Sequence, residues 1–472
     1  MGACTKRKAR YGFHGETSEL HNTPGRCHAV FRVVHKRITY LRHLIVSLAQ
    51  ARDISRTLLV FSHDHYDDDI NDLVQSIDFC KVIQIFYPFS IQTHPNEFPG
   101  ADPGDCPRDI KKEQALLRKC NNALHPDLYG HYREAKFTQT KHHWWWKANR
   151  VFDQLEVTKY HTGMVVFLEE DHYVAEDFLY ILELMFRKSQ DLCPKCNILS
   201  LGTYLKTFNY YTYNKKRAQP YLNGWYQRKI GKVGTIWEGQ QSVPLHGTST
   251  DRGSSASFSS AFSVLSKSQL KDAERRIRAT VDVSALLDPN HNANRRSPPD
   301  LPAWFDRPRQ TYDSDSNDIE EAHLIHDVEV TPWISSKHNM GMAFNRTTWY
   351  DIVRCARHFC EYDDYNWDWS LQHVSQQCLK QKLHVMVVKG PRVFHIGECG
   401  VHHKKSNCES NQVISKVQQV LKVARGSQQL FPRSISLTQT SVIKKTKLRK
   451  GNGGWGDQRD HQLCFNMTLV GR

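Results

Sequence analysis

The first part of the chain alternates short apolar runs with segments of helical spacing. Residues 31–35, 58–62 and 82–87 are short, mostly apolar runs, and the third is rich in β-branched and aromatic side chains, which is typical of buried strands. Between the first two runs, apolar residues recur every three or four positions, as they do on one face of a helix. This alternation predicts a parallel sheet with helices on its faces, in which ligands bind beyond the carboxyl ends of the strands.

The same pattern resumes further along the chain. Residues 142–155 have helical periodicity and begin with a cluster of tryptophans. Residues 164–168 form a continuous apolar strand, which leads directly into Glu169-Glu170-Asp171-His172. A helix over about 175–188 and a strand at 198–201 follow, so we predict an α/β fold.

Regular patterning disappears between about residues 215 and 325. This stretch contains a Ser- and Thr-rich run, an Arg-Arg-Ser-Pro-Pro sequence and an acidic run. We interpret it as a low-complexity, mostly disordered insertion. The predicted organisation is a basic, disordered tail at 1–28, two ordered segments at 29–214 and 326–465 that flank the insertion at 215–325, and a short tail at 466–472.

Composition narrows the possible partners. The net charge is +15, but the basic residues are scattered and interleaved with acids, and no nucleic-acid motif accompanies them. We therefore expect no nucleic-acid partner. The apolar stretches are too short to span a bilayer, and the N-terminus has no apolar signal-peptide core.

Thirteen cysteines are unusual for a cytosolic enzyme, and six of them lie after residue 350. Together with the sequons at Asn345 and Asn466, they indicate an oxidising, glycosylating compartment. The single CxxC motif at Cys193 and Cys196 is a weak zinc signal, and a local disulfide explains it equally well.

The acidic motif carries the clearest chemical signal. Three carboxylates at the end of a buried strand concentrate negative charge, which a cation would neutralise. Hard oxygen ligands suit Mn²⁺ or Mg²⁺, and either ion would also bind a diphosphate. The alternative is a solvated turn whose acids favour the start of the following helix.

Several longer motifs resemble the N-acetylglucosaminyltransferase II family. They are PNEFPG at 95–100, GHYREAK at 130–136, QTKHHWWWK at 139–147, the acidic triplet, HNMG at 338–341, YDDYNWDW at 362–369, HHKK at 402–405 and NGGWGD at 452–457. The resemblance covers about residues 29–214 and 326–465. It does not extend to the insertion.

The resemblance implies a GT-A glycosyltransferase fold, with a Rossmann-like nucleotide-sugar half at 29–214 and an acceptor-binding, catalytic half at 326–465. Asp171 resembles the family's metal-binding acid, and His395 resembles the second protein ligand of Mn²⁺. Without the resemblance, a lone histidine such as His395 would more often be a core residue. One carboxylate and one imidazole leave coordination positions for diphosphate oxygens and water.

The resemblance also implies which residues contact the donor, UDP-GlcNAc. The expected contacts are Val33, Val34, His35, Lys36, Arg37, Asp64, Gln139, Thr140, Lys141, His142 and His143. Lys36 replaces an asparagine that is usual in the family. For at least two of the adjacent residues Trp144, Trp145 and Trp146, we expect core packing instead.

By the same resemblance, Asp368 is the catalytic base. In an inverting displacement, its carboxylate would remove the proton from the attacking mannose hydroxyl. Asp363 and Asp364 lie in the same motif. The sequence pattern by itself does not choose among the three.

The implied reaction is transfer of N-acetylglucosamine in β-1,2 linkage to the α-1,6-arm mannose of an N-glycan, which converts a hybrid glycan to the complex type. The alternatives are a catalytically inactive glycan-binding protein of the same fold and a related transferase that acts on the α-1,3 arm. Family members are type II membrane proteins of the Golgi lumen. The anchor expected from the family is not present in this sequence.

The resemblance finally implies five disulfides. The expected pairs are Cys106–Cys120, Cys193–Cys196, Cys355–Cys378, Cys360–Cys464 and Cys399–Cys408. Cys80 is expected to be a buried thiol.

Overall fold

A computed structural model describes residues 29–34, 37–202, 325–397, 410–438 and 450–469. All of them belong to one compact unit. His35, Lys36, the tail at 1–28, the motif at 402–405, Cys399 and Cys408 lie outside the described residues, as does the predicted insertion apart from Ile325.

The segment before residue 202 alternates strands and helices, as the periodicity predicts. Its elements are β1 Ala29–Val34, α1 Ile38–Ala49, a 3-10 turn Ile54–Arg56, β2 Leu58–His63, α2 Asp68–Gln75, β3 Lys81–Phe86, α3 Lys112–Arg118, α4 Ala135–Asn149, a π-helical turn Arg150–Gln154, β4 Val165–Leu168, β5 His172–Val174, α5 Phe178–Leu192 and β6 Ile198–Ser200. Helix α4 starts seven residues earlier than the predicted helix at 142, because the polar first turn of α4 shows no apolar periodicity.

The segment after residue 325 contributes more helices. Its elements are β7 Ile325–Pro332, β8 Met342–Phe344, α6 Arg346–Arg354, α7 Ala356–Glu361, α8 Trp367–Gln377, β9 His384–Val388, β10 Val393–His395, α9 Ser410–Gly426, β11 Ser434–Thr438 and α10 Gln458–Leu469. Helix α10 includes residues 466–469, which the sequence analysis assigned to a tail.

Nine of these strands form one mixed sheet in the order β11-β7-β9-β6-β8-β4-β1-β2-β3. The neighbours β3, β2, β1 and β4 are parallel, and β8 is antiparallel to both β4 and β6. A separate antiparallel pair, β5 and β10, lies beyond the end of β4. The α/β prediction is confirmed, with the Rossmann-like run of parallel strands that a GT-A fold implies. The limits of the two predicted halves remain a prediction.

Aromatic side chains fill the core on one face of the sheet. Trp144 and Trp145 are buried at 3% and 0% exposure, which confirms the expectation of core packing for two of the three tryptophans. Trp144 stacks on Trp367 with ring centroids 4.4 Å apart, and Trp145 packs against Trp349. These contacts attach α4 to α6 and α8, so helices that are distant in sequence share one core.

Four predicted disulfides are present: Cys106–Cys120, Cys193–Cys196, Cys355–Cys378 and Cys360–Cys464. The CxxC motif is therefore a disulfide and not a zinc site. Cys80 is a half-buried free thiol. The predicted fifth pair lies outside the described residues.

Within the described ranges, no helix is both long enough and apolar enough to cross a membrane.

We predict that the Cys360–Cys464 disulfide contributes more stability than Cys193–Cys196. It closes a loop with a sequence separation of 104 residues, against 3 for the other. Replacing both members of the long-range pair with alanine should lower the free energy of unfolding by about 2–5 kcal/mol. Urea unfolding, followed by circular dichroism, measures the loss. An equal or larger loss in Cys193→Ala/Cys196→Ala would contradict the prediction.

Candidate active site

The acidic motif lies where the buried strand β4 ends. A tight turn, in which the His172 amide donates to the Glu169 carbonyl at 3.1 Å, separates β4 from β5. This turn gathers Glu169, Asp171 and His172, whose potential ligand atoms lie within 4.8 Å of one another. The three side chains form a group that could hold a divalent cation.

His395 reaches this group from a distant part of the chain. Strand β10 pairs antiparallel with β5, so His395 lies opposite His172. The Ile396 amide donates to the Asp171 carbonyl at 2.8 Å, which fixes the two strands at this point. His395 Nε2 lies 3.3 Å from Asp171 Oδ2. The structure therefore brings together the two residues that the sequence analysis expected to share an ion.

Gly397 makes the close approach possible. A Cβ atom at this position would lie 2.3 Å from Asp171 Oδ2, which no side chain tolerates without displacing the carboxylate. The backbone after β10 therefore packs directly on Asp171.

Arg37 is the second positive group at this site. Its Nη1 lies 3.0 Å from Asp171 Oδ2, and its Nε donates to Glu170 Oε1. Although burial opposes its charge, Asp171 and Glu170 hold the pKa of Arg37 above its ordinary value. Arg37 is thus anchored beside Asp171, at the start of α1.

Asp171 retains an unused oxygen atom. The residue is 3% exposed, and its buried Oδ1 has no hydrogen-bond partner among the described residues. Burial opposes ionisation, yet the His395 imidazole and then Arg37 keep the pKa of Asp171 below its ordinary value. A buried, ionised carboxylate with an unpaired oxygen is costly unless a cation contacts it, which fits a metal ligand.

The pKa values of the neighbours Glu169 and His395 are shifted by burial and by the charge of Asp171. Burial and the nearby Asp171 carboxylate raise the pKa of Glu169 to about 7. Burial disfavours the charged form of His395, but the hydrogen bond to Asp171 and the charges of Asp171 and Glu169 together outweigh it and raise the pKa of His395. Glu169 and His172 were not predicted as individual ligands from the sequence, although both belong to the predicted acidic motif.

One face of α4 lines the carboxyl end of β2. Asp64 is 8% exposed, and its Oδ2 accepts from Gln139 Nε2 at 3.0 Å. His143, one helical turn further, lies 3.7 Å from the same oxygen and contacts Ser62 Oγ at 2.7 Å. Residues four apart face the same side of a helix, which explains why Gln139 and His143 meet Asp64 together.

Residues 140–142, which lie between Gln139 and His143, direct their side chains away from Asp64. Lys141 is fully buried, and its Nζ donates to the carbonyls of Tyr362 and Asp364 at 3.0 Å each. His142 Nε2 lies 2.8 Å from Asp460 Oδ1. Thr140 is exposed. The five consecutive residues expected at the donor are therefore divided by the helix, and only Gln139 and His143 approach Asp64.

The expected donor contacts on β1 are described only in part. Val33 and Val34 belong to this strand, which pairs with β2 and ends beside it. The structure thus places Val33, Val34 and Arg37 near the same sheet edge as Asp64. His35 and Lys36 lie outside the described residues.

Lys147 is a site residue that the sequence analysis did not single out. It follows Gln139 and His143 on the same helical face and is 2% exposed. Burial lowers the pKa of Lys147 to about 7, and the negative charges of Glu169 and Asp64 oppose this shift. The charge of Lys147 therefore interacts with both Glu169 and Asp64. The sequence indicates this position of Lys147 only through its spacing, four residues after His143 on the same helical face.

The structure separates the three aspartates of the 362–369 motif. Asp363 accepts from the amides of Leu128 and Trp455, at 2.6 and 3.0 Å. Asp364 is fully buried and accepts from the amides of Asn366 and Asn452, at 2.8 Å each. Both carboxylates are therefore engaged in holding backbone segments.

Asp368 also accepts from a backbone amide, but its charge reaches the acidic motif. It lies in the first turn of α8, and its Oδ2 accepts from the Ser336 amide at 3.1 Å. Burial and then the charge of Asp364 raise the pKa of Asp368 to about 6. The charge of Asp368 also helps to raise the pKa of Glu169, so the two carboxylates are within electrostatic range. A carboxylate with this pKa is well suited to accept a proton near neutral pH.

Similarity to solved structures is slight. Those found include Staphylococcus aureus TarS, 12% identical with a TM-score of 0.20, covering 38% of this chain and 22% of that one. Mouse xyloside xylosyltransferase 1 is 11% identical with a TM-score of 0.20, covering 37% of this chain and 52% of that one. Structural similarity at this level supports no inference about this protein.

Comparisons of sequence are far more informative. Proteins named alpha-1,6-mannosyl-glycoprotein 2-beta-N-acetylglucosaminyltransferase match from several organisms. The rat protein is 35% identical over 91% of this chain and 72% of its own length. The human protein is 34% identical over 91% of this chain and 71% of its own length. The Arabidopsis thaliana protein is 26% identical over 93% of this chain and 74% of its own length.

A family model described as N-acetylglucosaminyltransferase II (MGAT2) matches residues 16–235 and 311–464. These two ranges include the acidic motif, His395, Asp368 and the face of α4 that lines Asp64. They amount to well over half of the chain, so the protein belongs to the N-acetylglucosaminyltransferase II family.

Proposed function

We propose that this protein transfers N-acetylglucosamine from UDP-GlcNAc, in β-1,2 linkage, to the α-1,6-arm mannose of an N-glycan. Family membership makes it a glycosyltransferase with a nucleotide-sugar donor and a glycan acceptor. The observation that carries the proposal is the meeting of Asp171 and His395 at 3.3 Å beside a buried, unpaired carboxylate oxygen.

Asp171 and His395 are the proposed protein ligands of Mn²⁺, with Glu169 and His172 close by. Carboxylate oxygen and imidazole nitrogen together suit this ion. When bound, the ion neutralises the diphosphate of the donor and stabilises the departing UDP. Arg37, which is anchored to the same carboxylates, adds a guanidinium suited to phosphate oxygens.

Asp64 is the proposed contact of the uridine part of the donor. Gln139 and His143 orient its carboxylate. We assign Val33, Val34, His35, Lys36 and Arg37 to the same donor surface. Lys141 and His142 are assigned instead to the packing of α4 against the C-terminal segments, because their side chains are used there.

Asp368 is the proposed catalytic base. Its charge acts on Glu169 of the acidic motif. Above pH 6 it is ionised and can take the proton of the attacking mannose hydroxyl, while the bond between the sugar and UDP breaks on the opposite face. The Ser336 amide holds Oδ2 in place.

The Golgi lumen is the proposed location, with a type II membrane anchor as the family resemblance implies. Four disulfides among the described residues support an oxidising compartment.

A catalytically inactive glycan-binding protein of the same fold is the alternative. The assembled group of Asp171, His395 and Glu169 favours the enzyme, because a binding protein would not need a buried carboxylate with an unused oxygen.

We expect transfer of one N-acetylglucosamine to a biantennary N-glycan whose α-1,3 arm already carries this sugar. The protein is incubated with UDP-GlcNAc and Mn²⁺. Mass spectrometry counts the sugars added, and NMR identifies the arm and the linkage. Glycan binding without transfer would support the inactive alternative, and transfer to the α-1,3 arm of an unmodified glycan would support the related transferase.

We expect Asp171→Asn and His395→Ala each to weaken Mn²⁺ binding by at least about tenfold, because the first replaces a carboxylate ligand with a neutral amide and the second removes an imidazole ligand. The electron paramagnetic resonance signal of free Mn²⁺ measures the affinity without requiring activity. Asp191→Asn, an exposed carboxylate on α5, is the matched control and should bind like the wild type. Unchanged affinity in either site variant would rule out the assigned ligand.

We expect kcat to decrease about tenfold for each pH unit below pH 6, because the raised pKa of Asp368 leaves its carboxyl protonated there. Asp368→Asn should reduce kcat at least about 100-fold. Calorimetry should show UDP binding nearly unchanged in the same variant. A parallel loss of UDP binding would assign Asp368 to donor binding instead of proton transfer.

A further inference from the structure

The two N-glycosylation sequons occupy different structural settings. Asn345-Arg346-Thr347 lies at the junction between β8 and α6, and Asn466-Met467-Thr468 lies inside α10. The Asn-X-Thr pattern is the acceptor sequence for N-linked glycans in secretory proteins. The surroundings of each sequon distinguish them.

Asn345 caps helix α6 through its carbonyl oxygen. Its backbone is extended, and Oδ1 accepts from the Thr348 amide at 3.1 Å and the Thr348 hydroxyl at 3.2 Å. Neither bond uses the side-chain nitrogen. An N-linked sugar attaches to that nitrogen and leaves Oδ1 free to cap, so the cap and a glycan are compatible at Asn345.

The hydroxyl-bearing residues of the two sequons also differ. Thr347 is exposed. Thr468 is 4% exposed, and its hydroxyl accepts from Trp145 Nε1 at 2.9 Å and donates to the Cys464 carbonyl at 3.3 Å. Asn466 itself is exposed, but once α10 has formed and packed, the Thr468 hydroxyl of this sequon is buried. The first sequon remains on the surface.

A cleft of about 420 Å³ opens beside Arg346, the residue that follows Asn345. It is lined by Asp153, Lys159, Tyr160, Arg346, Tyr350, Val353 and Arg354. Tyr160 and Tyr350 are 64% and 46% exposed. Aromatic rings flanked by charged side chains can contact the apolar faces of sugar rings and also bond their hydroxyls.

We propose that Asn345 is an N-glycosylation site, and that the first sugars of its glycan lie over Tyr350 and Tyr160. The proposal rests on passage through the secretory pathway, which is part of the proposed function. It does not depend on transferase activity, so the two can fail separately.

The modification replaces one bond at the anomeric carbon of a polyprenyl-diphosphate-linked oligosaccharide. The Asn345 nitrogen forms a C–N bond to that carbon, and the C–O bond to the diphosphate breaks. The polyprenyl diphosphate leaves with the electron pair. The amide proton passes to a base of the transferring enzyme.

Thr347→Ala tests occupancy without altering the helix cap, because it removes the sequon but leaves Asn345 in place. The full chain is secreted from eukaryotic cells behind a heterologous signal sequence, and protein from the medium is treated with peptide N-glycosidase. Mass spectrometry then locates the asparagine converted to aspartate. The wild type, Thr347→Ser and Asn466→Gln should carry the glycan at Asn345, and Thr347→Ala should lack it.

Unmodified Asn345 in secreted wild-type protein, or a glycan found at Asn466 alone, would overturn the assignment.

The position of the sugars is tested by an endoglycosidase that cleaves between the first two residues of the glycan. Cleavage of the native protein should be several-fold faster in Tyr160→Ser/Tyr350→Ser than in the wild type, because the rings no longer cover the bond. After denaturation, both proteins should be cleaved equally fast. Equal rates in the native state would show that the glycan does not lie in this cleft.

Discussion

The negative charge concentrated at the end of β4 is the constraint on which the site depends. Asp171 is ionised and almost fully buried, which is unfavourable unless positive groups surround it. Arg37 comes from the start of α1, and His395 from β10, more than two hundred residues later in the chain. The carboxylate can be buried only when these segments have come together, so folding and assembly of the site are one event.

Helix α4 connects the acidic motif to the C-terminal segments, because its two faces make different contacts. One face presents Gln139, His143 and Lys147 to Asp64 and the acidic motif. The other face binds the C-terminal segments through Lys141 and His142. Trp145 adds its hydrogen bond to Thr468. A helix fixed on both sides holds its polar face rigidly, as a preorganised site requires.

The single continuous sheet joins the two proposed halves of the molecule. Strand β8, from the later segment, lies between β4 and β6 of the earlier one. The proposed metal ligands and the proposed base are therefore built on one framework, in which Asp368 acts electrostatically on Glu169. Donor and acceptor chemistry can then be aligned without a change in the position of one half relative to the other.

The sequence by itself determined the local features. Periodicity predicted the strands that lead to Asp64 and to Asp171, and the acidic motif was visible because its residues are contiguous. The family resemblance supplied His395, Asp368 and the four disulfides now described. The tertiary structure decided which of these residues meet, because contacts across hundreds of residues leave no periodic trace in the sequence. It divided residues 139–143 between two faces of α4 and placed Lys147 on the face that carries Gln139 and His143. All three aspartates of the 362–369 motif accept backbone amides, but the charge of Asp368 also acts on Glu169.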